Sequence, residues 1–259
     1  MKTVVCIKQV PSTETKIRVS SETGFVDTSE VEWVINPYDE YALETALRIR
    51  EKQGEGEVVA ITLGPERART ALKTALSMGL DRAVHVHDSA LEGVDAPTVG
   101  RVLAAAVKRE EPDLVLCGKQ AVDDDMAFVP QVVARHLDVP HVAVVPELEI
   151  GEGEVTAHRE VEGATEVVKV PLPCLVTIQK GQYEPRYPTL KLMMAAKRKE
   201  IPVLALADLE IDAGSLTRGT EFLGDRLPPG RKPGRKLEGE PGELATELVR
   251  LLHEEAKVV

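Results

Sequence analysis

The sequence predicts an α/β protein built on a mostly parallel, doubly wound sheet. Short runs of Val, Leu, Ile and Ala alternate with amphipathic helical stretches through the first half of the chain, an order typical of parallel strands joined by right-handed crossovers. Hydrophobic residues make up 43% of the 259 residues, whereas aromatic residues make up only 3%. A sizeable core must therefore be filled by aliphatic side chains, as in sheets that are buried on both faces.

The strands of this sheet are predicted from apolar runs that end at a glycine or a polar residue. They cover residues 3–7, 57–63, 82–86, 114–117 and 174–178. Between the first two, residues 8–35 are irregular, and we expect only short hairpin-like strands there. Further along, two alternating stretches flank Gly163 and predict an added β-hairpin; they cover residues 154–161 and 166–170.

The predicted helices follow the strands and show the spacing of apolar residues that a 3.6-residue period requires. They cover residues 38–52, a stretch that begins at Pro65, residues 97–108 and residues 127–137. Pro37 sets the start of the first helix, because it fixes its own φ and keeps Asn36 out of the α region. Pro65 is expected to be the first helical residue of the second, a position that needs no amide hydrogen.

The C-terminal part of the chain predicts an appendage to this domain. Residues 227–242 are rich in Pro, Gly, Lys and Arg and read as a linker, and residues 243–257 form an amphipathic pattern. We therefore divide the chain into an α/β domain, residues 1–226, and an arm, residues 227–259. A short helix beyond a linker is marginal alone, so it should dock on a partner chain or fold back on its own domain.

Charge and cysteine usage exclude several classes of function. The net charge of -11 argues against nucleic acid or an anionic membrane as a general partner. The N-terminal apolar run is too short for a signal peptide and no segment is long enough to span a bilayer, so we expect a cytoplasmic protein.

Cys6, Cys117 and Cys174 lie far apart without metal-ligand spacing, which predicts buried thiols in a reducing compartment. His85 and His87 share a strand face, but a strand end explains them better than a metal site.

The binding site is predicted at the carboxyl ends of the strands, where ligands of open α/β sheets lie. The relevant loops follow residues 7, 63 and 117, and the turn at Asn36 and Pro37 joins them. The chain has no GxxxxGK[ST] phosphate loop, no well-placed GxGxxG and no GxSxG nucleophile elbow. The loop from Gly118 to Asp125 is therefore the predicted centre of the site.

Three consecutive aspartates in that loop, Asp123, Asp124 and Asp125, leave three interpretations open. Their oxygens suit a divalent cation, but further ligands at defined spacing are missing. They are good caps for the amides at the start of the next helix, which is the default interpretation. They also fit a nucleotide loop, in which helix-start amides bind a phosphate and a carboxylate binds ribose hydroxyls. The position after a central strand favours the nucleotide.

Several stretches together are specific enough to indicate a family. They are VVCIKQV near the N-terminus, KIRV from Lys16, NPYDEYALETALR from Asn36, TALSMGLDRAVHV from Thr74, DLVLCGKQAVDDD from Asp113 and YEPRYPTL from Tyr183. In this order they resemble the beta subunits of electron-transfer flavoproteins over most of the chain. The resemblance implies a Rossmann-like, adenine-nucleotide-binding fold and an electron-carrier subunit without catalytic residues or a metal of its own.

The resemblance also implies the cofactors and partners. The beta subunit would bury one structural AMP, and an alpha subunit would hold most of a redox-active FAD. The heterodimer would accept electrons from acyl-CoA and related dehydrogenases and pass them to a quinone oxidoreductase. The residues that match the family's nucleotide site are Cys6, Asn36, Pro37, Tyr38, Asp39, Leu63, Gly118, Lys119, Gln120, Ala121, Val122, Asp123, Asp124, Asp125, Met126, Ala127, Phe128 and Val129. Among them, Tyr38 matches an aromatic residue near the flavin ring.

A second set of residues matches the partner contacts of the family. Leu190 is the expected apolar anchor of a recognition loop that docks dehydrogenases, and Glu160 matches a glutamate that helps to hold the mobile FAD domain of the alpha subunit. The remaining recognition residues are Tyr183, Glu184, Pro185, Arg186 and Tyr187. The basic residues of the segment, residues 183–199, predict a local positive patch that steers an acidic partner.

The chain departs from the family pattern where the nucleotide phosphate is expected. The family commonly has Asn-Gln-Thr-Gly after the aspartates, whereas this chain has Ala127, Phe128, Val129 and Pro130, which retain main-chain donors at most. Thr13 occupies a position where the family can have an aromatic residue next to the flavin. Ala195 and Glu200 reduce the number of basic residues in the run that follows the recognition loop in the family. An electron-bifurcating variant with a second FAD, and a stand-alone nucleotide-binding regulator or nucleotide-cleaving enzyme, remain the alternatives.

Overall fold

The central sheet of the computed structural model is parallel and doubly wound, as the sequence predicts. The structure describes residues 1–181, 183–216, 218–231 and 233–259. The strands in chain order are β1 (Lys2–Cys6), β2 (Gln9–Pro11), β3 (Trp33–Ile35), β4 (Glu57–Leu63), β5 (Arg82–Val86), β6 (Leu114–Gly118), β7 (His141–Val145), β8 (Glu147–Ile150), β9 (Glu154–Val161), β10 (Ala164–Pro171), β11 (Cys174–Ile178) and β12 (Val203–Leu204). The helices are α1 (Pro37–Gln53), α2 (Arg69–Met78), α3 (Ala96–Arg109), α4 (Val129–Leu137), α5 (Leu190–Ala196) and α6 (Pro241–Leu251).

Strand order places a topological switch point next to the first strand. The seven-stranded sheet runs β12-β5-β4-β1-β6-β11-β7, and every neighbouring pair is parallel. From β1 the chain builds outwards through β4 and β5, and then returns to the other side of β1 with β6. The loops after β1 and β6 therefore diverge at the point where such sheets bind ligands.

Two aliphatic layers cover the two faces of this sheet. Leu43 and Leu47 of α1 pack with alternate strand residues on one face, and Val102 of α3 and Val133 of α4 pack on the other. Because successive side chains of a strand point to opposite faces, Val5 belongs to the first layer and its neighbour Val4 to the second. Burial on both faces explains why the strands read as continuous apolar runs.

Smaller strand groups account for the irregular parts of the sequence. β2 and β3 pair antiparallel, so the end of the irregular stretch is brought back beside β1 just before Asn36. β8, β9 and β10 form an antiparallel sheet of three strands. The predicted hairpin around Gly163 is thus confirmed, with β8 as an additional strand.

Two helices, α2 and α4, begin later than the sequence predicts, and a third, α5, was not predicted. Pro65 is not helical: it precedes a 3-10 turn over Glu66–Ala68, and α2 begins at Arg69. α4 begins at Val129 instead of residue 127, because Asp125 and Ala127 have positive φ values of 50° and 48°. α5 was not predicted at all, since its seven residues are too few for a periodic apolar pattern.

The C-terminal arm lies on the outside of the domain. α6 has no buried residue and continues into a π-helical turn, Leu252–Ala256. Leu248 and Val249 remain exposed on it. Within the described ranges of the chain, none of the helices combines the length and the hydropathy that a membrane crossing needs.

Candidate functional site

A cleft opens at the carboxyl ends of β1, β4 and β6, where the sequence predicts the binding site. Its walls come from the three strand ends, the N-terminus of α1, the loop after β6 and two helices. The lining residues are Cys6, Ile7, Lys8, Asn36, Asp39, Leu63, Val99, Leu103, Cys117, Gly118, Gln120, Ala121, Asp124, Met126, Ala127, Phe128, Val129 and Pro130.

Asp39 is the polar centre of this cleft. It lies in the first turn of α1 and is buried. Its Oδ2 accepts a hydrogen bond from the amide of Lys8 at 2.7 Å. Its Oδ1 accepts from the amide of Gly118 and from Asn36 Nδ2, both at 3.0 Å. One carboxyl group thereby ties together the loop after β1, the loop after β6 and the start of α1.

The burial of Asp39 changes its acidity. Burial raises the pKa of Asp39 from 3.8 to about 7, although the hydrogen bonds from Lys8, Asn36 and Gly118 act in the opposite direction. Desolvation destabilises the charged form of a carboxyl group more than these donors stabilise it. The group therefore titrates near neutral pH at the centre of the cleft.

The residue at position 118 must be a glycine for this contact to exist. A Cβ atom there would lie 2.3 Å from Asp39 Oδ1 and 2.7 Å from Tyr38 Cβ, closer than non-bonded atoms approach. The end of β6 and the first turn of α1 can touch only because this side chain is absent. Gly118 is therefore a requirement of close packing, while its amide supplies one of the donors to Asp39.

Asn36 fixes the loop that follows β6. Its Nδ2 donates to the carbonyl of Gln120 at 2.8 Å, and its Oδ1 accepts from the amide of Val122 at 3.1 Å. The side-chain amide of Asn36 thus pairs with one carbonyl and one amide of the loop, as the backbone of a neighbouring strand would. These partly buried main-chain groups therefore have hydrogen-bond partners. The turn at Asn36 and the loop at residues 118–125 thus form one unit.

The three aspartates do not cap α4, which corrects the default interpretation. Lys8 Nζ lies 2.9 Å from Asp123 Oδ1 and 2.9 Å from Asp124 Oδ2. Asp125 Oδ1 accepts from Gln120 Nε2 at 2.6 Å. Although burial lowers it, the pKa of Lys8 is raised overall by the two aspartates. The aspartates hold the loop and neutralise the cation that borders the cleft.

The rest of the cleft is mostly apolar. Val99 and Leu103 of α3 line one side, and Met126 and Phe128 are exposed at the rim. Cys6 and Cys117 stand in register on neighbouring strands. The side-chain hydrogen bond that the Cys117 thiol shares with Cys6, together with burial, raises the pKa of Cys117 well above its usual value. The Cys117 thiol is thus protonated at neutral pH, and both cysteine side chains form part of the wall.

The start of α4 is the part of the cleft that can accept an anion. No side chain caps its first turn, so its main-chain amides keep their hydrogen-bonding capacity. Pro130 in this turn contributes no donor. An anion at this end of α4 would therefore depend on few amides and on the helix dipole.

The structure brings most of the predicted nucleotide residues together and leaves some aside. Twelve of them border the cleft: Cys6, Asn36, Asp39, Leu63, Gly118, Gln120, Ala121, Asp124, Met126, Ala127, Phe128 and Val129. The others lie behind or beside it: Pro37, Tyr38, Lys119, Val122, Asp123 and Asp125. Lys119 Nζ lies 4.9 Å from the centre of the Tyr38 ring, so these two form a separate cation–π pair.

Sequence reasoning missed six residues of the cleft: Ile7, Lys8, Val99, Leu103, Cys117 and Pro130. Ile7 and Lys8 follow the first strand, and their position at a carboxyl end was a usable signal. The two residues of α3 had no such signal, because an apolar helix face looks the same whether it covers a sheet or a cleft.

The segment predicted to contact partners is anchored at one end and exposed at the other. Arg186 forms ion pairs with Glu44 and Glu51 of α1. Tyr187 and Leu190 are 93% and 76% exposed. Leu190 is the first residue of α5, whose start is capped by Thr189 Oγ1. This part of the surface therefore presents large apolar side chains next to a fixed backbone.

The other predicted partner residues take part in the same surface or lie apart from it. Tyr183 packs under the guanidinium of Arg48, and Glu184 accepts a hydrogen bond from Tyr41. Glu160 is on β9 and accepts from Gln179. Pro185 lies between these anchored residues and the exposed ones.

The described residues form no cluster of metal-ligating side chains. His85 and His87 stack with ring centres 5.4 Å apart. Both ring systems contact the same carbonyl oxygen, that of Gly64, at 3.0 and 3.1 Å. The two histidines therefore hold the end of β5 against the loop after β4, which agrees with their interpretation as residues of a strand end.

Comparison with known proteins adds an independent finding. Residues 23–209 match the Electron transfer flavoprotein domain family. The chain is 42% identical over 260 aligned residues to the electron transfer flavoprotein subunit beta of Bacillus subtilis, with 100% of both chains covered. Identity to the same subunit of Syntrophomonas wolfei is 38%, covering 100% of this chain and 98% of that one. For Bos taurus it is 36%, covering 92% and 93%.

Proposed function

The chain belongs to the beta subunits of the electron transfer flavoprotein family, and on that basis we propose that it binds AMP in the cleft beside β1 and β6. The bound nucleotide would be structural. The chain would act as an electron-carrier subunit in a heterodimer with an alpha subunit, and the FAD held mainly by that subunit would supply the redox chemistry.

The arrangement around Asp39 is the observation that carries the proposal. Three chain segments meet at one buried carboxyl group, and the cleft they enclose lies at the switch point of the sheet. Such a site is preformed by the fold, which is what a permanently bound structural ligand requires. Asp39 has its acceptor positions filled by protein donors, so its role is to shape the cleft and not to react.

The residues present fit a nucleoside better than they fit a phosphate. Val99, Leu103 and Phe128 offer apolar contact to a base, and Gln120 and Asp124 offer polar groups for ribose hydroxyls. The phosphate would rest on the uncapped first turn of α4. Lys8, the basic side chain at the cleft, is engaged by two aspartates, so the phosphate gains little from it.

The partner contacts of the proposal lie on a different surface. Tyr187 and Leu190 are exposed beside basic residues, and an apolar side chain that enters a partner's pocket is a common hot spot. We assign the docking of acyl-CoA and related dehydrogenases to this segment. Transfer to a quinone oxidoreductase would follow from the same heterodimer, and Glu160 would contact the alpha subunit.

The nucleotides released from the purified heterodimer test the proposal. We expect mass spectrometry to find FAD and AMP in equal amounts, and we expect the isolated chain to lack a flavin spectrum until the alpha subunit is added. Two FAD per heterodimer would instead support the electron-bifurcating alternative. Nucleotide turnover by the isolated chain would support the alternative of an independent enzyme.

A further inference from the structure

We propose that Glu44 of α1 is the positioning residue of the docking segment, residues 183–190. This inference rests on the proposed function in one respect, namely that the segment docks dehydrogenases. Glu44 is 0% exposed, which is unusual for a glutamate in the middle of a helix and demands compensating partners. Those partners come from the docking segment and from α1 itself.

The contacts of Glu44 form a fork around one arginine. Glu44 Oε2 accepts from Arg186 Nε at 2.7 Å and from the amide of Arg186 at 3.2 Å. Glu44 Oε1 accepts from Arg186 Nη2 at 3.0 Å and from Arg48 Nε at 2.6 Å. Bidentate pairing of a guanidinium with a carboxylate fixes orientation as well as distance, and the additional bond to the amide fixes the main chain of the segment.

Other residues of α1 hold the segment on the same side of the helix. Glu51 Oε1 accepts from Arg186 Nη1 at 2.6 Å. Arg48 lies over the ring of Tyr183, 5.6 Å from its centre, and Tyr41 donates to Glu184. Positions 41, 44, 48 and 51 follow the spacing of one helix face. Only Glu44 in this group is fully buried, so it is the centre of the contact.

The consequence of this contact appears immediately after Arg186. Tyr187 and Leu190 are 93% and 76% exposed, so nothing in the described chain covers them. They are presented to a partner because the preceding residues are fixed on α1. Binding through a segment that is already ordered avoids the entropy cost of ordering it on contact. Loss of the fork should therefore weaken docking without changing the nucleotide cleft.

The test compares Glu44→Gln with wild type in the heterodimer. Because Gln keeps the shape and removes the charge, the fork with Arg186 is lost. We expect the KM for an acyl-CoA dehydrogenase, used as the substrate of the heterodimer, to rise about tenfold with kcat nearly unchanged, as loss of uniform binding requires. AMP and FAD content should stay at wild-type levels. Arg186→Lys should behave similarly, because an ammonium cannot replace the planar fork.

Glu57→Gln is the matched control. It removes the same charge from another glutamate that pairs with an arginine, Arg82, at the start of β4. Hydrogen exchange supplies a readout that does not depend on the dehydrogenase. Amides of residues 183–189 should exchange about tenfold faster in Glu44→Gln and at the wild-type rate in Glu57→Gln. Unchanged exchange in Glu44→Gln would overturn the inference.

Leu190→Ala separates this inference from the proposed function. If it raises KM as Glu44→Gln does, both the docking surface and its positioning by Glu44 are supported. If neither variant changes KM while Glu44→Gln still accelerates exchange, the docking assignment fails and the anchoring role of Glu44 stands. If Leu190→Ala raises KM and Glu44→Gln does not, positioning by Glu44 is wrong.

Discussion

At the scale of single residues, buried carboxylates organise the two regions to which we assign functions. Asp39 and Glu44 lie one and a half turns apart on α1, and both are buried. Asp39 receives neutral donors, and burial raises its pKa. Burial acts in the same direction on Glu44, but Arg186 and Arg48 outweigh it and lower its pKa overall. Asp39 thus titrates near neutral pH beside the cleft, whereas Glu44 stays negatively charged.

The titration of Asp39 predicts a pH dependence of stability. Its pKa is about 7 in the folded chain and 3.8 as the ordinary value, so the folded chain binds this proton more tightly. The contribution of Asp39 to the unfolding free energy is therefore greatest at low pH and falls as pH rises from about 4 to about 7. In urea unfolding, the free energy of unfolding of wild type should therefore fall relative to that of Asp39→Asn as the pH rises across that window.

The measurement depends on the slope and not on the absolute stability of the variant. Asparagine cannot ionise, so other titrating groups affect both proteins alike and cancel in the comparison. A difference that stays constant between pH 4.5 and 7.5 would contradict the raised pKa of Asp39, even if Asp39→Asn were less stable at every pH.

Secondary-structure elements were predictable where burial makes the sequence pattern simple. β4, β5 and β11 have the predicted bounds, because a strand buried on both faces reads as an uninterrupted apolar run. The start of α4 was not predictable in the same way. Asp125 and Ala127 adopt positive φ, and Lys8 and Asn36 hold the preceding part of the loop. Such long-range contacts leave no local signal in the sequence.

The same limit applies to the candidate site. The position of the cleft followed from the order of strands and the rule for carboxyl ends. The roles of its polar residues could not be predicted. The sequence does not show that Lys8 contacts Asp123 and Asp124, which lie more than a hundred residues away along the chain. The default interpretation of the aspartates as helix caps, one of three left open, was wrong for that reason: Asp123 and Asp124 pair with Lys8 instead.

The C-terminal helix α6 leads to a prediction about domain organisation. None of its residues is buried, and an isolated helix of 11 residues is marginal in water. A chain that ends after Leu227 should therefore have nearly the same unfolding free energy as the full chain, within about 0.5 kcal/mol. Its affinity for the alpha subunit should fall, because no described residue of the chain covers Leu248 and Val249, which stay exposed.

Chemical unfolding and a titration with the alpha subunit test the two halves of this prediction. A large loss of stability on truncation would show that the arm folds back on its own domain. Equal affinity of the truncated and full chains for the alpha subunit would remove the partner role of the arm.

The net charge of the whole molecule is opposite in sign to the charge of the proposed docking surface. The net charge is -11, yet the exposed residues Lys191, Lys197 and Arg198 follow the docking segment. Lys199 adds less to this patch, since its Nζ contacts the carbonyl of Leu80. Charges separated by more than about 10 Å are largely screened at 0.1 M salt, so such a patch acts mainly at low ionic strength and on the rate of association.

We therefore expect the second-order rate of flavin reduction by an acyl-CoA dehydrogenase to fall as salt increases. Lys191→Gln should lower this rate about threefold at low ionic strength and flatten its salt dependence, because a rim charge steers association more than it holds the complex. Lys108→Gln on α3 is the control, since it removes the same charge from an exposed position on a helix that covers the opposite face of the sheet from α5. Equal salt dependence in the two variants would mean that the overall negative charge governs the encounter, and that the basic residues after Leu190 do not steer it.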